Sequence, residues 1–300
     1  MRTPFTGCGT ALVTPFTASG SLDEAAVRRL GRRQIDAGVH FLVPVGTTGE
    51  SPTLTLPERL RIVEILVDEA NGRVPILAGA GGYDTREVIE AAAEMKKTGA
   101  NGLLSVTPYY NRPTQEGLFQ HYRAIAESTT LPIIVYNVPG RTGCNVEPST
   151  LVRLSSVPNI AGVKEASGNM SQMCDVCRSV PADFIVLSGD DVVTLPLMAV
   201  GGRGVISVVS NEIPAEMSQM VEAAERGDYA AARAIHTQIM PLMQINFVES
   251  SPGPLKTAMA AMGLLEAVYR LPLVAPRQES KEKILKVLND LNLLNKPAFA

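Results

Sequence analysis

The sequence predicts a (β/α)8 barrel with a C-terminal helical extension. Three observations carry this: eight short apolar, β-branched runs separated by amphipathic stretches, helix-start and helix-stop signals between the runs, and no dinucleotide fingerprint after the first run. The runs fall at residues 10–13, 39–45, 75–78, 102–106, 132–136, 160–164, 184–187 and 204–208. They are continuous more than alternating, as expected of parallel strands covered on both faces. Between them, Ser21-x-x-Glu24, Thr55-x-x-Glu58 and Asp84-x-x-Glu87 each set an N-cap oxygen three residues before a Glu, the capping-box spacing or its Asp variant. Gly38, Gly72 and Gly99 follow the last periodic residue of their segments, where a left-handed C-cap favours glycine. From Pro214 the pattern is helical only, through 231–244, 255–262 and 281–293. A catalytic barrel over 1–213 with an extension over 214–300 packed on it is the expected organisation. The rival open Rossmann sheet requires G-x-G-x-x-G after the first strand, which Gly9-Thr10-Ala11-Leu12-Val13-Thr14 does not supply. The glycine clusters at 79–82 and 201–204 match no P-loop and read as tight turns.

Composition narrows the function. The 300 residues are 45% hydrophobic and 19% charged, with a net charge of -3. A chain of this size buries about 75% of its unfolded surface and needs no disulfide or structural metal to hold a core. There is no basic run of the kind phosphate binding requires, so nucleic acid is not an expected partner. Arg28, Arg29, Arg32 and Arg33 read as the polar face of a helix. No uncharged apolar stretch reaches the roughly 18 residues needed to span a bilayer. The Met1-Arg2-Thr3-Pro4 start leads toward a strand and not a signal sequence. A cytoplasmic location is therefore expected, with no membrane partner. Cys8, Cys144, Cys174 and Cys177 are too few and too scattered for a disulfide framework. Cys174-x-x-Cys177 lies in a helix-like stretch from about Asn169 and reads as buried or partly buried thiols. His40, His121 and His236 form no ligand motif, so no metal and no cofactor are expected.

In such a barrel, chemistry sits at the C-terminal ends of the strands. The second strand is followed by Gly46-Thr47-Thr48-Gly49-Glu50-Ser51, a turn that can offer hydroxyls and backbone N–H groups to a carboxylate, or merely be a hydroxyl-rich turn. Tyr109 and Tyr110, on a Pro-bounded loop after the fourth strand, suit a site or interface packing equally. The fifth strand ends in Tyr136-Asn137-Val138-Pro139-Gly140-Arg141-Thr142-Gly143, where Arg141 can clamp a carboxylate or make a surface ion pair. After the seventh strand, Asp190 and Asp191 read as N-caps of the next helix more than as cation ligands. The strongest anomaly is Lys164, an ammonium ending the apolar run Ile160-Ala161-Gly162-Val163. Side chains alternate along a strand, so Gly162 and Lys164 share a face, and glycine there leaves room for the long chain and a substrate. A desolvated amine is a nucleophile suited to Schiff-base chemistry on a ketone. An ion pair with Glu165 is the plain alternative.

Taken together, these segments resemble the dihydrodipicolinate synthase family, the pyruvate-dependent class I aldolases that include N-acetylneuraminate lyase. The likeness runs from the Gly9–Phe16 segment (GTALVTPF) to Gly204-Val205-Ile206-Ser207. Its most specific pieces are Thr47-Thr48, Tyr109-Tyr110-Asn111-Arg112-Pro113, the 136–143 segment and Gly162-Val163-Lys164-Glu165-Ala166. The resemblance implies that Lys164 condenses with pyruvate, that the Schiff base becomes an enamine, and that the enamine attacks L-aspartate 4-semialdehyde to give 4-hydroxy-tetrahydrodipicolinate, the first committed step toward diaminopimelate and lysine. It implies Tyr136 as general acid/base, with Thr47 and Tyr110 completing a proton relay in which Tyr110 comes from a neighbouring subunit. Thr47 and Thr48 would hold the pyruvate carboxylate and Arg141 that of the second substrate, while Gly189, Asp190 and Ile206 line the pocket floor. A homo-oligomer is implied, a tetramer built as a dimer of dimers. Ser51, Glu87 and Tyr109 match a regulatory lysine pocket of the family. Leu56, Pro57, Arg59 and Gly82-Tyr83-Asp84 depart from it, so a weakened or absent lysine response is expected. A sister aldolase acting on N-acetylneuraminate or a 2-keto-3-deoxy sugar acid would keep Lys164 and Tyr136 without needing Arg141. A non-catalytic binding barrel would be expected to have lost one of Lys164, Tyr136 or Thr47.

Overall fold

The computed structural model describes residues 4–294. The first three residues of the start read as strand-leading, and residues 295–300 of the extension, lie outside the described residues. Its strands are β1 (Gly7–Ala11), β2 (Phe41–Val43), β3 (Leu77–Gly79), β4 (Gly102–Val106), β5 (Ile133–Asn137), β6 (Ile160–Glu165), β7 (Ile185–Ser188) and β8 (Gly204–Ser207). All pairs are parallel in the order β2-β1-β8-β7-β6-β5-β4-β3, and a parallel bridge from Leu42 to Ile76 joins the two ends. The sheet thus closes into the eight-stranded barrel that the sequence predicts.

The helices are α1 (Glu24–Asp36), α2 (Leu56–Ala70), α3 (Thr85–Lys97), α4 (Gln115–Ser128), α5 (Pro139–Thr142), α6 (Pro148–Leu154), α7 (Met170–Ser179), α8 (Thr194–Ala199), α9 (Pro214–Glu225), α10 (Tyr229–Ile245), α11 (Gly253–Ala261) and α12 (Gln278–Asp290). Thr55 and Glu58 form the complete capping box at the start of α2. The other two starts differ from expectation. Asp23, not Ser21, caps α1 by accepting the Ala26 N–H at 2.9 Å. Asp84 does cap α3, but by accepting the Arg86 N–H two residues on, so no box with Glu87 forms. Gly38, Gly72 and Gly99 follow their helices with φ of 87°, 75° and 90°, the left-handed conformation glycine adopts at least cost.

The first strand lies three residues earlier than the apolar run suggests, because glycines at 7 and 9 mask it. A Cβ at Gly9 would lie 2.1 Å from the Phe41 ring, so the missing side chain is what lets that ring fill the barrel. Phe5, Phe41, Leu77, Leu104, Ile134 and Ile206 are among the side chains packed inside. A larger core lies between the sheet and the helices, as expected of strands covered on both faces.

Helix α9 follows β8, and its Met217, Met220 and Val221 pack with Cys8 and Val205, in the position of an eighth barrel helix. The same cluster takes in Ala232 and Leu242 of α10 and Leu288 of α12, so α9 packs on the barrel and on the rest of the 214–300 segment alike. The extension is tied back to the barrel by Arg270, which donates to the carbonyls of Gly20 and Thr53 and pairs with Glu58 at 2.6 Å. Of the α1 arginines, Arg28 and Arg32 form the polar face and pair with Glu69 of α2, whereas Arg33 turns inward and donates to the Asn211 and Glu212 carbonyls. Cys8 and Cys144 are buried and Cys177 half-buried, its thiol pushed up to about 11 by that burial; Cys174, contrary to expectation, is exposed. Among the described residues, no helix is long and apolar enough to cross a membrane, and no three His, Cys, Asp or Glu side chains are grouped to hold a metal.

Candidate active site

Strand β6 delivers Lys164 into the barrel. In register it lies between Tyr136 of β5 and Leu187 of β7, so these side chains form one layer. Lys164 is only 4% exposed, and its ammonium nitrogen sits 4.3 Å from the centre of the Tyr136 ring. The ion pair with Glu165 is not formed. Glu165 points to the other face, where it accepts hydrogen bonds from Asn137 Nδ2 at 2.9 Å and the Ser167 N–H at 2.7 Å. The room for Lys164 comes from a different glycine than Gly162: a Cβ at Gly189 would lie 3.0 Å from Lys164 Cε, while one at Gly162 would strike the Ile185 carbonyl at 2.3 Å. Gly162 admits β7, and Gly189 admits the lysine.

A cavity of about 480 Å³ opens at the C-terminal ends of the strands. Thr47, Tyr136 and Arg141 line it, and so do Ser51, Glu87 and Tyr109, so the two groups of candidate residues share one continuous space. Thr48 is buried in the 46–51 turn. Ile206 packs inside the barrel with Tyr136 and Leu187. Arg141 stands on the short α5, where its guanidinium donates to the Ser251 carbonyl at 3.3 Å. In the outer part, Arg59 donates to the Ser51 and Leu54 carbonyls, and the Tyr83 and Tyr109 rings meet edge to face at 5.2 Å. Burial pushes the Tyr109 phenol upward. Tyr110 is not brought to the cavity within one chain: it is 93% exposed and held at φ 71°.

The paired aspartates differ from expectation. Asp191 caps no helix of its own and is buried, accepting the N–H groups of Val208 and Val209 at 3.0 and 2.9 Å, which pins the chain leaving β8; burial pushes its carboxyl up. Asp190 accepts the nearby Val192 N–H, and α8 begins without a side-chain cap. Sequence reasoning also passed over Lys256, the sole charge in the apolar α11 and fully buried. The argument that singled out Lys164 applies to it unchanged.

The model of the Dihydrodipicolinate synthetase family matches residues 4–291. The chain belongs to this family. Among relatives, the 4-hydroxy-tetrahydrodipicolinate synthase of Koribacter versatilis is 51% identical, covering 98% of each chain. The dihydrodipicolinate synthase structure from Thermotoga maritima superposes with a TM-score of 0.95 at 43% identity, over 97% of this chain and 100% of that one. The chloride-inhibited enzyme from Acinetobacter baumannii, solved in complex with pyruvate, has a TM-score of 0.94 at 41% identity, over 96% and 99%. Relatives named as synthases, one of them solved with pyruvate bound, accord with an inward lysine beside a phenol and leave a retired barrel without an observation in its favour.

Proposed function

We propose that the chain is a lyase of the 4-hydroxy-tetrahydrodipicolinate synthase type, condensing pyruvate with L-aspartate 4-semialdehyde through a Schiff base on Lys164. The observation that carries the reading is Lys164 itself, buried inside the barrel with its nitrogen against the ring of Tyr136, which in turn lines a cavity together with Thr47 and Arg141. In the proposed mechanism the lysine nitrogen adds to the ketone carbon, the carbinolamine loses water, and loss of a methyl proton turns the Schiff base into an enamine. The enamine carbon attacks the aldehyde, whose oxygen takes up a proton. The amino group of the second substrate then displaces Lys164 as the ring closes, so the enzyme amine is regenerated and no oxidant is needed. Tyr136 exchanges these protons, Thr47 and the partner's Tyr110 relay them, and Thr47 and Thr48 hold the pyruvate carboxylate. Arg141 receives the second carboxylate by paired N–H donation, while Gly189 and Ile206 shape the pocket floor.

This reading includes a homodimeric contact that supplies Tyr110, assembly into a tetramer, action in the cytoplasm and no cofactor. Ser51, Glu87 and Tyr109 form an outer chamber with Arg59, and the departures at Leu56 and Arg59 weaken any response to lysine. The test is turnover with both substrates. Purified protein should consume pyruvate and the semialdehyde one for one and keep most of its rate in millimolar lysine. Cleavage of N-acetylneuraminate without the condensation would move the chain to the sister aldolases, and strong lysine inhibition would contradict the reading of the outer chamber.

A further inference from the structure

A buried ion pair joins the C-terminal extension to the turn that carries Thr47 and Thr48. Lys256 of α11 is fully buried, and its ammonium donates to Glu50 Oε1 at 2.5 Å and to the Thr14 carbonyl at 3.1 Å. The rings of Phe16 and Tyr269 flank it at 4.4 and 5.6 Å. Glu50 is itself buried and stands at φ 56°, in the left-handed region that a residue with a side chain occupies only when its surroundings hold it there. It ends a tight turn closed by N–H donation from Gly49 to the Gly46 carbonyl and from Glu50 to that of Thr47. From beneath, the Thr14 hydroxyl donates to the Gly49 carbonyl at 2.7 Å, so Thr14 is bonded to both the turn and Lys256.

Two ions removed from water are commonly no better for stability than a well-packed apolar pair of the same volume, so stability alone does not explain this one. What a charge pair does supply is a fixed anchor with one geometry. We infer that Lys256 and Glu50 are positioning residues: from the far end of the chain, they hold the 46–51 turn in the conformation in which Thr47 and Thr48 receive the carboxylate of a keto acid. The inference rests on the carboxylate-binding role proposed above for those threonines. The same segment of the extension also meets Arg141 through the Ser251 carbonyl, so one element braces both points proposed to bind carboxylate.

The test measures borohydride trapping of pyruvate on Lys164 in the full-length protein as a function of pyruvate concentration. Lys256→Met combined with Glu50→Gln removes both charges and leaves neither ion buried alone. Glu50→Asp keeps the charge but shortens its reach by one methylene. The double variant should keep its melting point and reach full trapping at saturating pyruvate, yet need about tenfold more pyruvate for half-maximal trapping. Glu50→Asp should fall between it and the wild type. A folded double variant whose half-saturation stays within about twofold of wild type would overturn the inference, because a merely structural pair moves melting and not pyruvate affinity. Should the double variant not fold, wild-type half-saturation in Glu50→Asp would overturn it equally. A wild-type protein that traps no pyruvate would overturn the reading of the site and this inference with it; a wild-type adduct with unmoved variants overturns the inference alone.

Discussion

Tyr110 combines near-complete exposure with a left-handed backbone, and a large aromatic residue rarely has both without a reason. Its conformation costs energy within the chain, and its ring contributes nothing to the cavity that Tyr136 and Thr47 share. The place in a second subunit's proton relay proposed above would account for both features. Tyr110→Phe keeps the ring and removes only the hydroxyl, so it should lower kcat by about 10- to 100-fold while pyruvate KM moves less than about threefold, as steady-state kinetics would show. An unchanged kcat would remove the phenol from the relay. Lys164 was legible in the sequence because an ammonium in an apolar strand has few explanations. Its supporting glycine was not, since which strand neighbours which side chain depends on barrel closure. Asp191 was misread for a related reason: its partners, Val208 and Val209, are distant in sequence and become neighbours only once β7 lies beside β8.

Element by element, the best-determined piece is the start of α2, just beyond the turn that carries Thr47 and Thr48. Its capping box was legible because Thr55 and Glu58 need only local geometry, but Arg270, which seals it, comes from 212 residues away. The Arg270 guanidinium holds the Glu58 carboxyl down at about 2, below its ordinary value of 4.5. A carboxyl whose folded value is depressed adds stability above its unfolded value, and this is lost as pH falls from about 4.5 toward 2. Both side chains are about four-fifths buried, so the contribution at neutral pH is on the order of 2 kcal/mol after allowance for solvent screening. Arg270→Met should therefore lower unfolding stability by about that amount at pH 7, and the gap from wild type should narrow by more than half near pH 2.5 in denaturant titrations. A gap independent of pH would mean that Arg270 acts through its bonds to the Gly20 and Thr53 carbonyls and its packing on Phe16, and not through Glu58. Strand positions were legible from apolar runs except at β1, where glycines replace the side chains that would have marked it.

At the scale of the whole molecule, the barrel places the lysine and the extension steadies what surrounds it. Barrel closure brings β5, β6 and β7 side by side, which sets Tyr136, Lys164 and Leu187 in one layer. The extension then reaches back through Lys256, Arg270 and the Ser251 carbonyl to the turn, the helix start and the arginine around the cavity mouth. The fold class could be read because eight βα repeats leave few alternatives. The role of the extension could not, because a helical tail shows its amphipathic pattern but not the face it covers; α9, for one, shares a buried cluster with Cys8 and Val205 of the barrel as well as with Leu242 of α10. The central claim is covalent. Intact-mass measurement after borohydride reduction with pyruvate, followed by peptide mapping, should show a reduced pyruvate adduct on Lys164 in the wild-type protein and none in a folded Lys164→Ala variant. A folded wild-type protein that gains no mass, or gains it at a residue other than Lys164, would contradict the account.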